Sequence, residues 1–250
     1  MPDPTSPAKP RNENWRPELT RLPELTPARV RARLWWQRAA RFLIGWLTRA
    51  EVVGLENFPA QGPALIVVNH LGDADVVLGL AYFPIAPEVL AKAELYDEFL
   101  LGKAMEAYGV IWVHRGQPDR RALRAALQAL EAGRMVGLAP EGRQSVTGEL
   151  EEGTEGAAYL ALKAGATRQA PIPIVPVALT GSGNAQIYGH LRRLRRPRVT
   201  MTVGPAIYLE PEADWRAAVP RGTEQIMRAL ARLLPVEYQG VYAPRPDGTR

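Results

Sequence analysis

The sequence predicts one α/β domain with a mostly parallel central sheet and helices on both of its faces. Short apolar segments alternate with longer amphipathic ones from about residue 51 onward, and this alternation is typical of parallel strands joined by helices. Polar or charged residues follow several apolar segments, as expected where ligands bind beyond the carboxyl ends of parallel strands. We therefore divide the chain into a flexible N-terminal arm (1–27), an amphipathic helical segment (28–50) and the main domain (51–250).

The composition excludes several classes of function. The chain has no cysteine, which excludes structural disulfides, cysteine-ligated zinc and thiol catalysis. Because it has only three histidines, we expect no histidine-rich metal site. The net charge of +5 suits anionic partners such as phosphate ligands, acidic lipids or nucleic acid. No apolar segment approaches the roughly 20 residues that span a bilayer, and the N-terminus lacks the pattern of a signal peptide. A cytosolic protein, either free or lying on a membrane, is therefore expected.

The stretch from Pro27 to Ala50 is predicted to form a basic amphipathic helix, because it contains six arginines, no acid and a helical apolar period. One broad face carries Trp35, Trp36, Ala39, Phe42, Leu43, Trp46 and Leu47. The opposite side carries Arg31, Arg38, Arg41 and Arg49. This pattern is typical of a helix at an anionic lipid interface. A helix that packs its tryptophan face on the domain and leaves its arginines solvated is the alternative. A nucleic-acid surface is a third, although no known nucleic-acid-binding motif accompanies the helix.

The first half of the domain alternates strands with helices. In chain order, the predicted elements are a short strand near Val52, a buried strand Ala64–Val68, a helix Ala74–Tyr82, a strand Glu88–Ala91, a helix Tyr96–Tyr108, a strand Val110–Val113 and a helix Asp119–Ala132. The strands are apolar runs, as buried parallel strands require. Asp73 is placed to cap the first of these helices, and Gly133 to end the last.

The second half continues the alternation less regularly. The predicted elements are a strand Met135–Ala139, a helix Gly156–Ala164, a strand Ile172–Leu179, a strand Val199–Val203 and a helix Gly222–Leu234. Gly165 is predicted to end its helix, and Pro173 and Pro176 to place their strand at a sheet edge or make it irregular. His190 and the arginines of residues 192–196 are assigned to a solvated basic loop.

His70 and Asp75 are the first candidates for catalysis. His70 follows the strand Ala64–Val68, and Asp75 comes five residues later. A carboxylate that accepts from one ring nitrogen would fix the tautomer and leave the other nitrogen as a general base. The alternative is a capping aspartate beside a structural histidine. Because no serine or cysteine sits in a nucleophile elbow, direct deprotonation of a substrate hydroxyl is favoured over a covalent triad.

Three further strand ends carry residues suited to an anionic substrate. Lys92 and Arg115 follow two of the strands, and the arginine guanidinium can bind a phosphate through two hydrogen bonds. Glu141 could accept from a substrate hydroxyl, and Gly142 would permit close approach of the backbone. His114 is assigned a structural role, because it alternates with Arg115 along the chain.

Four segments in order resemble the glycerolipid acyltransferase family, best known for the 1-acyl-sn-glycerol-3-phosphate (lysophosphatidic acid) acyltransferases. They are the N-H-x-x-x-x-D motif at Asn69–Asp75, a Gly–strand–Arg block at Gly109–Arg115, Pro140-Glu141-Gly142 with Ser145 and Gly148, and the apolar block Ile174-Val175-Pro176-Val177. Lys92-Ala93-Glu94-Leu95 is similar to the family's lysine-containing segment. The resemblance runs from about Glu51 to Tyr242.

The resemblance implies transfer of an acyl chain from an acyl-CoA or acyl-carrier-protein thioester to a lysophospholipid hydroxyl, with 1-acyl-sn-glycerol-3-phosphate as the first-choice acceptor. His70 would be the base and Asp75 its orienting partner. The implied substrate-binding residues are Asn69, Lys92, Arg115, Glu141, Gly142 and Arg143. No metal or bound cofactor is required. The resemblance also favours docking of the tryptophan and arginine helix on an anionic membrane at the cytoplasmic face of the cell membrane, without nucleic acid as a partner.

The sequence departs from the family pattern on the predicted phosphate side. The third motif is commonly P-E-G-T-R-S, whereas Arg143 and Gln144 replace its Thr and Arg here, which moves the arginine one place earlier. A basic residue that is common before the Gly-Ala-Ala helix is replaced by Glu155. Another lysolipid, a glycolipid or an aminolipid acceptor therefore stays open, as does a catalytically inactive peripheral lipid-binding protein.

Overall fold

The computed structural model describes residues 16, 18–114, 119–210 and 214–244. Its helices are α1 (Pro27–Leu47), α2 (Ala74–Tyr82), α3 (Phe99–Tyr108), α4 (Arg120–Glu131), α5 (Gly156–Arg168), α6 (Asn184–Leu191) and α7 (Trp215–Ala231). Its strands are β1 (Arg49–Val53), β2 (Ala64–Val68), β3 (Glu88–Lys92), β4 (Ile111–Val113), β5 (Met135–Leu138), β6 (Ile174–Thr180) and β7 (Arg198–Val203). No helix in this part of the chain is long and apolar enough to cross a bilayer.

The strands form one mostly parallel sheet, in the order β1-β7-β6-β2-β5-β3-β4. Strands β2 to β6 run in one direction, and β7 pairs antiparallel with β6. Strand β1 then pairs parallel with β7. One hydrophobic cluster packs α4, α5 and α7 on one face of the sheet, and a second packs α1, α2 and α6 on the other. The predicted fold class is therefore confirmed.

One edge of the sheet collects the ends of five strands and the beginnings of two. Strands β2 to β6 all end there, and β1 and β7 begin there because they run the opposite way. We call this the carboxyl edge. In open sheets of this kind, ligands bind beyond such an edge. The loops after β2 and β5, the start of α3, the end of α1 and the segment between α6 and β7 all lie along it.

Strand β6 lies inside the sheet, so the predicted edge position was wrong. It is flanked by β2 on one side and β7 on the other. Pairing with β7 covers only Val177 to Thr180, and the carbonyl of Pro176 accepts from Gly204 N just beyond that ladder (2.9 Å). Because the amide and carbonyl of one strand residue point to the same side, the missing N–H of Pro176 faces the end of the β7 ladder and removes no ladder bond. Pro173 precedes the strand.

Two predicted helix boundaries were wrong. Helix α5 continues through Gly165 to Arg168; a glycine costs roughly 1 kcal/mol in a helix interior, and the buried leucines and alanines of α5 outweigh that. Helix α7 begins at Trp215 rather than near Gly222, because the Asp214 side chain caps it by accepting from Arg216 N. The predicted loop around His190 was also wrong, because His190 belongs to α6.

Helix α1 packs on the domain with the face that holds Arg33. Arg33 is buried and makes two hydrogen bonds to the buried carboxylate of Glu88, at 3.0 and 2.7 Å. It also donates to the carbonyls of Tyr108 and Gly109, while Ile44 enters the second hydrophobic cluster. The tryptophan-rich face points outward instead: Trp35, Phe42 and Trp46 are 58%, 77% and 69% exposed. The alternative in which the tryptophans pack on the domain is therefore wrong for Trp35 and Trp46, whereas it is right for Trp36, which is half-buried and packs against the cluster around Trp112.

Candidate active site

The loop after β2 brings His70 and Asp75 together at the carboxyl edge. His70 Nδ1 lies 2.8 Å from Asp75 Oδ2. The two residues come into contact because a turn at Leu71–Asp73 separates β2 from α2 and Asp75 sits in the first turn of that helix. The His70 side chain is 20% exposed, and no described residue bonds to its Nε2. The predicted geometry, with one ring nitrogen held and the other open, is present.

The Asp75 carboxylate is buried and anchored by backbone amides. Its Oδ2 accepts from Leu71 N at 2.6 Å and Gly72 N at 2.8 Å as well as from the His70 ring. These two amide bonds hold the carboxylate in place beside the ring. Asp75 therefore fixes the His70 tautomer with Nδ1–H as donor and supplies a negative charge beside the ring.

The loop after β5 holds the backbone of His70. Glu141 Oε2 accepts from His70 N at 3.0 Å, and its Oε1 accepts from Glu151 N at 2.9 Å. Burial raises the pKa of Glu141, and the two amide bonds offset only part of that effect. Ser145 N donates to His70 O at 2.7 Å, and Gln144 donates to Leu71 O. Both Glu141 oxygens are thus engaged by the backbone, which favours a positioning role over the predicted contact with substrate.

Asn69 also belongs to the support of the loop. Its side chain is buried, donates to Leu179 O at 3.0 Å and accepts from Leu179 N at 2.7 Å, which ties the end of β2 to β6. This geometry favours positioning over the predicted substrate contact. At Gly72 an added Cβ would lie 2.6 Å from Ser182 O, so the loop after β6 packs directly on the backbone beside the dyad.

Helix α6 contributes contacts that sequence reasoning missed. Asn184 and Tyr188 donate to Asp73 Oδ2, and Asp73 N donates to Asn184 Oδ1 at 2.9 Å. Asp73 directly precedes α2, but its side chain makes no capping bond to that helix, so the predicted capping contact was wrong. The negative charge of Asp73 raises the pKa of the Tyr188 hydroxyl. Because α6 was not predicted, nothing in the sequence connected these residues with the His70 loop. Ser145 could have been identified from the sequence as a site residue, because it lies in the segment that begins with Pro-Glu-Gly.

The four predicted phosphate-side residues differ in where they lie. Lys92 is the half-buried last residue of β3, two strand spacings or about 10 Å from the end of β2. Arg115 lies outside the described residues, so its phosphate contact stays a prediction. Gly142 adopts φ = 74°, in the left-handed region that favours glycine, at an exposed turn. Arg143 is exposed and pairs with Glu151 at 2.6 Å, which directs its charge to its own loop.

A second histidine–aspartate pair repeats the five-residue spacing of the first. His114 Nδ1 lies 3.3 Å from Asp119 Oδ2, and the same oxygen accepts from His114 N. Burial alone would raise the pKa of Asp119, but amide donors at His114, Ala122 and Arg121 outweigh it and leave that pKa below its usual range. His114 is only 4% exposed, and its Nε2 accepts from Arg16 N. Both ring nitrogens are engaged, so this pair is structural, as predicted for His114.

The arrangement at the carboxyl edge can therefore accept a proton at one exposed imidazole nitrogen. Among the residues that the structure describes, no group of three or more histidine, aspartate or glutamate side chains is placed to hold a metal ion. An imidazole that is oriented by a buried carboxylate suits general-base catalysis on a hydroxyl, which contributes roughly 10²–10⁴ in rate.

Comparison with known proteins identifies the family of this chain. The sequence model described as Acyltransferase matches residues 49–180, more than half of the chain, from β1 to the end of β6. The chain belongs to the acyltransferase family. The matched region of this family member contains the His70–Asp75 pair, Lys92 and the loop that holds Glu141 and Arg143.

Curated relatives of this acyltransferase-family chain carry one name. A 1-acyl-sn-glycerol-3-phosphate acyltransferase of Borreliella burgdorferi is 28% identical over 144 residues, 56% of this chain and 55% of that protein. A protein of the same name from Bacillus subtilis is 27% identical over 140 residues, 54% of this chain and 65% of that one. The human 1-acyl-sn-glycerol-3-phosphate acyltransferase alpha is 30% identical over 135 residues, 53% of this chain and 46% of that one. The chain thus spans between about half and two thirds of these relatives.

A solved structure shares the fold. The crystal structure of PlsC from Thermotoga maritima, a 1-acyl-sn-glycerophosphate (LPA) acyltransferase, matches with a TM-score of 0.61 over 84% of each chain, at 22% identity. At this identity the likeness supports the α/β architecture of the acyltransferase-family chain and nothing finer.

Proposed function

We propose that the protein transfers an acyl chain from a thioester donor, acyl-CoA or acyl-carrier protein, to the free hydroxyl of a lysophospholipid. The single observation that carries the proposal is the His70–Asp75 pair, with Nδ1 held at 2.8 Å and Nε2 open at the carboxyl edge. Family membership and the shared name of the curated relatives support 1-acyl-sn-glycerol-3-phosphate as acceptor and phosphatidic acid as product.

The proposed reaction needs one proton acceptor and no covalent enzyme intermediate. Nε2 of His70 takes the hydroxyl proton of the acceptor while the hydroxyl oxygen bonds to the thioester carbonyl carbon. The carbon–sulfur bond then breaks, and the leaving thiolate takes the proton back from Nε2. The charge of Asp75 stabilises the imidazolium between these two transfers. Glu141 and Ser145, which bond to the backbone of His70, keep the ring at the edge where the substrates meet.

The acceptor phosphate is assigned to Arg115 and Lys92. A lysolipid with another headgroup is the alternative, and one observation favours it: the ion pair with Glu151 withdraws Arg143 from the predicted phosphate side.

The experiment is a panel of lysolipids with labelled acyl-CoA and acyl-carrier protein, with products identified by mass spectrometry. We expect the largest kcat/KM for 1-acyl-sn-glycerol-3-phosphate, and loss of transfer in His70→Ala with a native circular dichroism spectrum. Near-wild-type turnover of His70→Ala would disprove the base assignment. Preference for an uncharged acceptor would disprove the phosphate assignment. Donor consumption at the same rate without any acceptor would indicate a thioesterase, and no consumption would indicate a lipid-binding protein.

The outward face of α1 is proposed to lie on the anionic cytoplasmic face of the cell membrane. Arg31 and Arg38 are exposed as well, and they lie next to Trp35 and Phe42 rather than on the opposite side as predicted, because residues three or four apart share a helix face. Aromatic side chains with basic neighbours are typical of interfacial helices. Truncation of residues 1–50 is a poor test, because it also removes Arg33 from Glu88.

Surface substitutions test the α1 docking without disturbing that ion pair. The triple variant Trp35→Ser, Phe42→Ser, Trp46→Ser should lose binding to anionic vesicles and retain its folded spectrum. Val236→Ser with Val241→Ser, which removes two exposed apolar side chains elsewhere, is the control. Equal binding of both variants would disprove docking through α1.

A further inference from the structure

Residues 192–198 join α6 to β7, include the first residue of β7 and form a strongly basic segment at the carboxyl edge, which we call the basic loop. Residues 192–198 contain five arginines, and no aspartate or glutamate occurs between Glu155 and Glu210. Because β7 begins where β6 ends, this loop stands at the same edge as His70. Helix α6 connects the two places directly, since its first residue, Asn184, bonds to Asp73 beside the dyad.

One arginine of this basic loop is structural and four face outward. Arg196 donates to the carbonyls of Gly45 and Thr48 and thereby ties the loop to the end of α1. The side chains that remain exposed are Arg192, Arg193, Arg195 and Arg198. None of these four makes an ion pair with a residue that the structure describes, so their charges are available to an anionic partner.

Leu194 stands at the tip of the basic loop between these arginines. It is 96% exposed and adopts φ = 53°, a conformation that costs a non-glycine residue on the order of 1 kcal/mol or more. The loop therefore holds a leucine in an unfavourable backbone conformation, with its side chain in solvent and positive charges around it. A protruding apolar side chain with basic neighbours is the pattern by which peripheral proteins insert into anionic lipid.

Other exposed apolar residues along the carboxyl edge extend this surface. Trp46 lies in the last turn of α1, Phe99 and Leu100 begin α3, and Val146 lies in the loop that bonds to His70 through Ser145. Each of these four side chains is at least two-thirds exposed. Scattered single apolar residues need no explanation, but several around one edge mark a lipid or partner surface. A lipid bilayer explains all of them together, because it contacts a broad surface, whereas a carrier protein explains only the arginines.

We propose that the basic loop binds anionic phospholipid headgroups with Leu194 inserted among them, so that the carboxyl edge faces the bilayer. The inference deepens the proposed function, on which it rests for the lipid nature of the acceptor. In this orientation a lysophospholipid reaches His70 without leaving the membrane surface. The docking surface then includes the rim of the site as well as the outward face of α1.

The absence of cysteine makes a labelling experiment direct. Leu194→Cys carries a polarity-sensitive fluorophore, and Val53→Cys, exposed at the end of β1 on the opposite edge, is the control. On phosphatidylcholine vesicles containing phosphatidylglycerol, the label at residue 194 should shift to shorter wavelength and be quenched by lipid-bound quenchers, and the label at residue 53 should not. Equal responses of the two labels, or none at residue 194, would overturn the proposal.

A charge series measures the contribution of the arginines. Arg192→Gln, Arg193→Gln, Arg195→Gln should reduce partitioning onto these vesicles roughly a hundredfold, at about fivefold for each arginine near the surface. The matched control removes three exposed arginines that lie away from the basic loop, Arg124, Arg168 and Arg216, and should change partitioning only a few-fold. If the two variants lost vesicle binding equally, the net charge of the protein would explain the effect, and the assignment of lipid binding to the basic loop would be wrong.

Activity separates the proposal from its rivals. The loop variant should lose turnover on vesicle-embedded acceptor and keep it on acceptor dissolved below its micelle concentration. If vesicle binding stayed intact and only the KM for an acyl-carrier-protein donor rose, the loop would be a carrier-protein site and the lipid proposal would be wrong. A wild-type protein without acyltransferase activity whose label at residue 194 still inserts would refute the proposed function and leave the docking surface standing.

Discussion

The substitution Asp75→Asn tests the His70–Asp75 pair, because it removes the charge of the carboxylate and nearly preserves the shape of the side chain. The asparagine oxygen can still accept from Leu71 N and Gly72 N, so the loop should keep its fold. The imidazolium of His70 loses a carboxylate whose Oδ2 lies 2.8 Å from Nδ1. With charge centres about 4 Å apart and an effective dielectric constant near 20, the interaction is worth about 4 kcal/mol. We therefore expect kcat to fall roughly a thousandfold.

The chain supplies a matched control for this substitution. Asp119→Asn makes the same change in the His114–Asp119 pair, which has the same spacing and a comparable geometry but a buried ring. It should lower the free energy of unfolding by about 1–3 kcal/mol through weakened bonds to buried amides and leave kcat within a few-fold. The assay follows release of the CoA thiol with a chromogenic thiol reagent, which the cysteine-free protein does not consume. Retention of kcat within tenfold in Asp75→Asn, or an equal loss in Asp119→Asn, would refute the reasoning.

Two further predictions concern stability. Arg33→Ala should lower the free energy of unfolding, measured with denaturant, by about 3–5 kcal/mol, because it leaves Glu88 buried with weaker partners. The double variant Arg33→Met with Glu88→Leu should lower it clearly less, because it leaves no buried charge. Equal losses in the two variants would contradict the view that the unpaired charge of Glu88 causes the destabilisation. Since burial raises the pKa of Glu141 above its ordinary 4.5, the stability linked to this carboxyl is fully present below about that pH and is lost as pH rises through the raised pKa. Glu141→Gln should therefore show less loss of unfolding free energy above pH 4.5 than the wild type, and parallel pH profiles would contradict the assignment.

The elements that sequence reasoning predicted correctly are those whose local pattern and tertiary environment agree. Strand β2 and helix α2 have the predicted boundaries, because an unbroken apolar run is buried between neighbouring strands and a polar turn separates it from the helix. Helix α6 was missed because its eight residues bury only Ile187 deeply, which leaves little apolar period to detect. Its contacts with Asp73 depend on chain segments more than a hundred residues apart, and no local pattern encodes them.

The orientation of α1 shows a different limit of sequence patterns. A helical wheel separates tryptophans from most arginines and says nothing about which side meets the domain. The arginine that decides the matter, Arg33, faces inward because the domain offers it a buried carboxylate and two backbone carbonyls. The charged residues of a helix therefore do not identify its solvent face when a buried acid lies within reach. In this sequence, the glutamate at the start of a predicted buried strand, Glu88, was the feature that indicated a buried acid.

The two histidine–aspartate pairs show what the five-residue spacing encodes. In both, the aspartate lies at the beginning of a helix, accepts from at least one backbone amide that precedes it and holds the imidazole Nδ1. The spacing is therefore a device for closing a strand-to-helix turn, and it is compatible with a structural or a catalytic histidine. The environment of the second ring nitrogen, Nε2, distinguishes His70 from His114. The N-terminal segment at Arg16 and Thr20 covers His114, whereas His70 Nε2 is left open at the edge where five strands end. A motif of this kind identifies chemistry only when the fold leaves the second nitrogen accessible to substrate.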